Sequence, residues 1–192
     1  MKSKVYSFRK HQPVRTCTKK YSSYRSYKDF LQSDFKGRCG YTDCPDYFFG
    51  GKRTFHIDHF KPQSTHKELT NEYSNLIYAC SYVNIKKSDD LSELLDPCDV
   101  DLNLHFYRDE YGNILPFSTS EIAINMSEAL GLNMRRYGII WMLETLENLK
   151  NSFSKLCEGN DDFESASPEA LKILAKLNKT HQEYTNYLRA II

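Results

Sequence analysis

Between Phe55 and Lys87 the chain carries His56, Asp58, His59, Asn75, Asn84 and Lys87, the side-chain types that one-metal phosphodiester hydrolysis requires. A divalent ion such as Mg²⁺ or Mn²⁺ takes hard oxygen ligands. The Asp58 carboxylate and the Asn84 amide carbonyl supply them, leaving room for water and phosphate oxygens. A neutral imidazole beside the ion accepts a proton from attacking water near neutral pH, because an unperturbed histidine titrates near ~6.5. His59 fits that task. Its other ring nitrogen must donate to a fixed acceptor, and Asn75 at the start of the next apolar run is the expected one. Lys87 follows Asn84 by three residues, which on a helix places both on one face and a cation beside the phosphate.

Two strands and a helix must bring these residues together. Thr54-Phe-His-Ile-Asp58 and Asn75-Leu-Ile-Tyr-Ala79 have strand-like composition, and a helix is expected from about Ser81 to Leu95. Side chains alternate across a strand, so the adjacent Asp58 and His59 can face one site only where the first strand ends or kinks. Pro62 supports an ending. The connection from Lys61 to Tyr73 has no apolar periodicity and reads as an ordered surface loop.

The rest of the chain bounds the answer. With 192 residues and 40% hydrophobic content it can bury a real core as one sizeable or two small domains, which excludes a disordered or collagen-like chain. Its net charge of +1 conceals a division. Residues 1 to 60 hold 13 basic and 5 acidic side chains, whereas residues 61 to 192 hold 13 basic and 20 acidic. A basic, tyrosine-interleaved front end suits a polyanion, and an acidic back end suits a protein contact or a solvated surface. The competing use of the front end is a short helix packed through Tyr24, Tyr27, Phe30 and Leu31 beneath a solvated basic face. No apolar run reaches the ~18 residues of a membrane helix, and no apolar signal core follows Met1, so a cytoplasmic location is expected. Six cysteines without a secretory signal point to metal binding or burial rather than a disulfide framework.

The fold class is α+β. Residues 1–37 form a basic arm, 38–95 the strand-strand-helix core, and 96–192 a hairpin followed by a mainly helical region. The hairpin turns at Tyr111-Gly-Asn113, with Gly112 or Asn113 as the left-handed residue. Ser120 can cap a helix ending near Gly131, and Asn133 one running to about Cys157. Ser167-Pro168 opens a last helix with Leu171, Leu174, Leu177, Tyr184, Leu188 and Ile191 on one stripe.

The order His56-x-Asp58-His59, Pro62, Asn75-Leu76, Cys80 and Asn84-x-x-Lys87 resembles the HNH, or ββα-metal, endonucleases over roughly residues 38 to 92. The resemblance implies a ββα-metal core in which Asp58 and Asn84 bind the metal, His59 is the general base and Asn75 fixes His59. His56 stands where relatives often have Glu or His and is auxiliary. The wider chain resembles small HNH nucleases of Septu-type and retron-type anti-phage systems. The shared features are the basic arm, Cys39-Gly-Tyr41, Asp96-Pro97, the Tyr-Gly-Asn hairpin, Leu130-Gly-Leu-Asn133 and Arg135-Arg136. This wider likeness implies an ATPase partner, expected to dock on the helices after residue 119, and a target that is DNA or an RNA such as tRNA.

One departure concerns zinc. Many HNH relatives hold a structural zinc between two Cys-x-x-Cys knuckles, but Cys39-Gly-Tyr-Thr42 and Cys80-Ser-Tyr-Val83 each lack the second cysteine. Cys44 could replace the first missing ligand, and Cys98 or a histidine the second, to complete a set with Cys39 and Cys80; the paired loss argues against zinc. The rival functional reading is a catalytically silent nucleic-acid-binding or regulatory subunit on the same fold.

Overall fold

The computed structural model describes residues 4–87, 93–157 and 168–190. It divides into two compact units, residues 1–134 and 135–192.

In the first unit the element order begins with β1 (Tyr6–Ser7), α1 (Lys28–Asp34), β2 (His56–His59), β3 (Leu76–Ala79) and α2 (Ser81–Lys86). It continues with β4 (Phe106–Arg108), β5 (Ile114–Pro116) and α3 (Glu121–Leu130). Strands β2 and β3 pair antiparallel with His56 opposite Ala79 and His59 opposite Leu76. All four residues of β3 are buried, because α1 packs on this strand with Leu31 and Phe35 in the core. Cys39-Gly40-Tyr41 runs against β3, with the Gly40 amide donating to the Tyr78 carbonyl at 2.8 Å. A Cβ at Gly40 would lie 2.7 Å from an Ile77 methyl and 2.8 Å from the Phe35 ring, so only glycine fits that approach.

The hairpin β4–β5 turns where the sequence places it. Gly112 is the left-handed residue at φ 78°, and Asp109 Oδ1 accepts from the amides of Tyr111 and Asn113 at 2.9 Å each. A third strand was not legible: β1 pairs antiparallel with β4, giving the order β1-β4-β5. The arm is therefore part of the fold. Arg9 is buried and its guanidinium donates to the Gly40 carbonyl, while Arg15 pairs with Asp96 at 2.8 Å. Those two charges are spent inside the protein, whereas Lys10, Lys19, Lys20 and Arg25 remain exposed. Arg108, fully buried, donates to the carbonyls of Phe8, Thr42 and Gly112 and stitches the arm, the segment before β2 and the hairpin turn together.

The helix expected over 81–95 is shorter. It ends at Lys86, Lys87 is extended at ψ 120°, and Glu93 to Asp96 have no regular structure; residues 88–92 lie outside the described residues. Helix α3 has the expected bounds and a left-handed Gly131 at its end. Ser120 does not cap it through its side chain, since its hydroxyl meets His105 Nδ1 at 2.8 Å instead. Ala123, Met126 and Leu130 are fully buried, and the helix packs on α2 and β5. It belongs to the core of the first unit, so it is not free as a whole to dock a partner.

The second unit pairs α4 (Arg135–Cys157) with α5 (Pro168–Ala190). Tyr137, Ile140 and Leu143 of α4 are buried. On α5 the expected stripe is only half-buried at Leu174, Leu177, Tyr184 and Leu188, Leu171 is 47% exposed, and Ile191 lies outside the described residues. Among the described residues no helix is long and apolar enough to cross a membrane.

Candidate active site

Strand β2 ends at His59, and the Phe60 amide then donates to the Asn75 carbonyl at 2.8 Å. That ending lets two adjacent side chains serve one space. Asp58, His59, Gln63, Asn84 and Lys87 all line an open cleft of about 480 Å³, with Tyr24 at its side.

The His59 ring is fixed on three sides. Its Nε2 lies 2.9 Å from the Thr70 carbonyl, which can only accept, so Nε2 carries the hydrogen and Nδ1 is left as the acceptor. The Gln63 amide nitrogen lies over the ring edge, 2.9 Å from Nδ1 and 2.8 Å from Nε2; with Nε2 protonated, only Nδ1 can accept from it. The Tyr24 ring meets the imidazole edge-on at 4.8 Å and 77°.

The expected contact between Asn75 and His59 is not made. Buried Asn75 clamps the loop instead: its Oδ1 accepts from the Lys61 amide at 2.8 Å, and its Nδ2 donates to the Lys61 carbonyl at 3.1 Å and the Leu69 carbonyl at 3.4 Å. Asn75 thus ties down the residue next to Thr70, whose carbonyl orients His59. An Asn75→Ala substitution leaves the Lys61 amide and carbonyl without these partners, and is expected to destabilise the fold by ~1–3 kcal/mol in urea unfolding. Cleavage should fall with it through a loosened His59, while the affinity for nucleic acid changes little.

Asp58 is buried and holds two donors on one oxygen. Its Oδ2 accepts from the Tyr41 hydroxyl at 2.6 Å and from Lys87 Nζ at 2.8 Å. Burial and the neighbouring Asp58 charge push the Tyr41 phenol well above its ordinary pKa, so it stays a neutral donor. Lys87 also donates to the carbonyls of His59 and Phe60 at 2.7 and 3.1 Å. The extended backbone at Lys87 turns this side chain back onto the strand end, a different arrangement from two neighbours on one helical face. Asn84 remains on the helix and its Nδ2 donates to His56 Nδ1 at 3.0 Å.

The donor set suits a hard divalent ion. Among the described residues no side chain or backbone group bonds Asp58 Oδ1 or Asn84 Oδ1, and both residues line the cleft, so a carboxylate and an amide oxygen are available to an ion with waters for the rest. Lys87 already sits on the other Asp58 oxygen and would have to share the carboxylate or yield it. These side chains belong to a strand-strand-helix segment whose carboxylate, imidazole and amide meet in one cleft.

Residues 37–90 match the family model for HNH endonuclease. No curated protein and no solved structure matches the chain. The HNH match spans β2, β3 and α2 together with the Cys39-Gly40-Tyr41 segment, and so contains every side chain so far placed on Asp58 and His59 except Tyr24.

Of the four cysteines weighed for zinc, Cys39, Cys44 and Cys80 are buried and Cys98 is half-buried. Cys39 and Cys80 share a hydrogen bond, and although burial opposes ionisation of Cys39, the bonds from Cys80 and Thr42 outweigh it and bring the thiol down to about 6. The Cys44 thiol points at the Thr42 carbonyl, and burial pushes it up to about 12. Cys98 lies beside Arg15 and Asp96. Among the described residues no group of three or more His, Cys, Asp or Glu side chains is arranged to hold an ion. Among the described residues lining the cleft, Asp58 and His59 are the ones of those types, beside the Asn84 amide.

Sequence reasoning missed Tyr41, Gln63 and Thr70 as direct partners of Asp58 and His59. Tyr41 stood in a quoted motif without a role. Gln63 sits four residues after His59 and its type alone suggested nothing. Thr70 contributes a backbone carbonyl, which no side-chain identity announces.

Proposed function

We propose that this chain hydrolyses nucleic-acid phosphodiester bonds with a divalent metal at Asp58 and Asn84. The observation that carries the reading is His59: its Nε2 is committed to a carbonyl, and its Nδ1 accepts from the exposed Gln63 amide in the cleft that Asp58 and Asn84 also line, so the attacking water takes the place of that amide. A bound ion would supply Lewis-acid charge to a phosphate oxygen and to the departing oxygen. His59 Nδ1 takes the proton of the attacking water as its oxygen forms the new bond to phosphorus. The bond to the leaving oxygen breaks, that oxygen keeps the electron pair, and it is protonated from solvent. Lys87 places a cation at the cleft wall, where it offsets negative charge as the phosphorane forms.

One observation favours a second reading. The Lys87 ammonium already neutralises Asp58, which is what a silent nucleic-acid-binding subunit would do with a carboxylate it no longer uses for metal. The two readings part on metal. Purified protein with Mg²⁺ or Mn²⁺, set against plasmid, single-stranded DNA and total RNA, is expected to cleave at least one substrate and to stop in EDTA. Absence of cleavage with every substrate, with and without the neighbouring gene product, supports the silent subunit; cleavage indifferent to EDTA removes the metal from the proposal.

The anti-phage role and the ATPase partner rest on the sequence resemblance alone. The second unit is the candidate docking element, since α3 is absorbed into the first. Deleting residues 160–192 should weaken co-purification with the proposed ATPase partner, and undiminished recovery rejects that assignment.

A further inference from the structure

A second open cleft, of about 400 Å³, adjoins the first and is lined by Tyr24, Arg25, Lys28, His56, Ile57 and Asn84. Tyr24, Ile57 and Asn84 line both clefts. Their chemistry differs. The first contains the Asp58 carboxylate, whereas among the described residues the second has no acidic lining residue and two cationic ones. Arg25 is exposed, and the half-buried Lys28 is anchored by donating to the Phe55 carbonyl with its ammonium 5.1 Å from the Tyr78 ring centroid. That anchor uses one of three ammonium hydrogens. Burial and then the Lys52 charge lower the Lys28 pKa to about 8, against an opposing pull from Asp46.

The other walls are equally fixed. The Tyr24 backbone amide donates to Asn71 Oδ1 at 2.8 Å, its ring abuts His59, and the Arg25 guanidinium lies 5.7 Å from its centroid. Asn84 Nδ2 occupies His56 Nδ1, which puts the His56 hydrogen on Nε2 as a donor. An aromatic surface therefore stands between the proton acceptor of one cleft and the cations of the next.

We infer that the second cleft holds the nucleotide adjoining the scissile phosphate of an unpaired nucleic-acid strand, with Arg25 and Lys28 on its phosphate and Tyr24 against its base. This rests on the nuclease reading above. Stacking on a tyrosine requires a base freed from its own helix, which is why a single strand fits and a closed duplex does not. DNA and RNA share the phosphate and the base face, so the test separates them.

The full chain is titrated in EDTA, where the strand stays intact, against short labelled single-stranded DNA, single-stranded RNA and duplex DNA, and fluorescence anisotropy is read over a range of salt. Tyr24→Leu should weaken binding of the preferred single strand by about 10-fold, while Tyr24→Phe stays near wild type. Arg25→Gln, at an exposed position, should reduce the slope of log affinity on log salt by about 0.7, and Arg25→Gln with Lys28→Gln by about 1.4. Circular dichroism verifies that each variant is folded; should Lys28→Gln unfold the protein, Arg25→Gln and the Tyr24 pair decide alone. If wild type binds and cleaves but these variants match it, or if duplex binds as tightly as single strand, the second cleft is not the strand site and the nuclease reading stands. If wild type neither binds nor cleaves any nucleic acid, both fall.

Discussion

Asp58→Ala is expected to abolish metal-dependent cleavage and to weaken the fold in the same protein. The carboxylate and the Lys87 ammonium are 8% and 6% exposed, and they pair at 2.8 Å. Removing one member of a buried ion pair costs ~3–5 kcal/mol, because the charge left behind keeps its desolvation penalty. Here the His59 and Phe60 carbonyls still hold Lys87, which places the loss toward the lower end of that range, and the Tyr41 hydroxyl loses its acceptor as well. About 3 kcal/mol should therefore disappear from urea unfolding. Asp58→Asn keeps an acceptor for Tyr41 and should lose less stability but as much cleavage. Asp58→Ala with Lys87→Met removes both charges and should recover most of the stability with no cleavage. An Asp58→Ala protein as stable as wild type would mean that Lys87 is not committed to this carboxylate.

That pair also shows what the sequence can and cannot announce. Spacing put Asp58, His59, Asn84 and Lys87 near one point because two short apolar runs and a helix leave few ways to connect them. The strands came out within two residues of expectation, His56–His59 and Leu76–Ala79, since their apolar content sets their place in the core. The helix was overextended because residues after Lys86 have helix-compatible types. What ends it at Lys86 is a tertiary demand, the return of Lys87 to a buried carboxylate, and no local propensity encodes that. The Asn75 contact failed for a related reason. Any nearby carbonyl can orient an imidazole, and the loop delivers that of Thr70, while Asn75 holds the loop. The arm shows the limit of charge counting: Arg9 and Arg15 add to a basic front end on paper, yet one lies in the core and the other is paired with Asp96. A two-residue strand such as β1 carries no periodicity at all, so only its pairing with β4 reveals it.

His59→Ala should lower cleavage by at least ~10²-fold with nucleic-acid affinity nearly unchanged, the lower bound of what a positioned general base contributes. The separation of the two readouts follows from geometry. His59 Nε2 is spent on the Thr70 carbonyl and Nδ1 faces the cleft, so its loss removes a proton acceptor but no cation. The second cleft keeps Arg25 and Lys28, and Asp58 keeps Tyr41 and Lys87. His59 is only partly buried and its Thr70 bond is a single neutral one, so unfolding should shift by no more than about 1 kcal/mol, unlike Asp58→Ala. Gln63→Ala provides the graded control. Gln63 lies at Nδ1 without accepting a proton from water, so its removal frees the ring rather than deleting the base, and cleavage should fall far less than in His59→Ala. Cleavage by His59→Ala at the wild-type rate, in a folded protein that still binds substrate, would remove the imidazole from the reaction and leave the water to be activated at the metal alone.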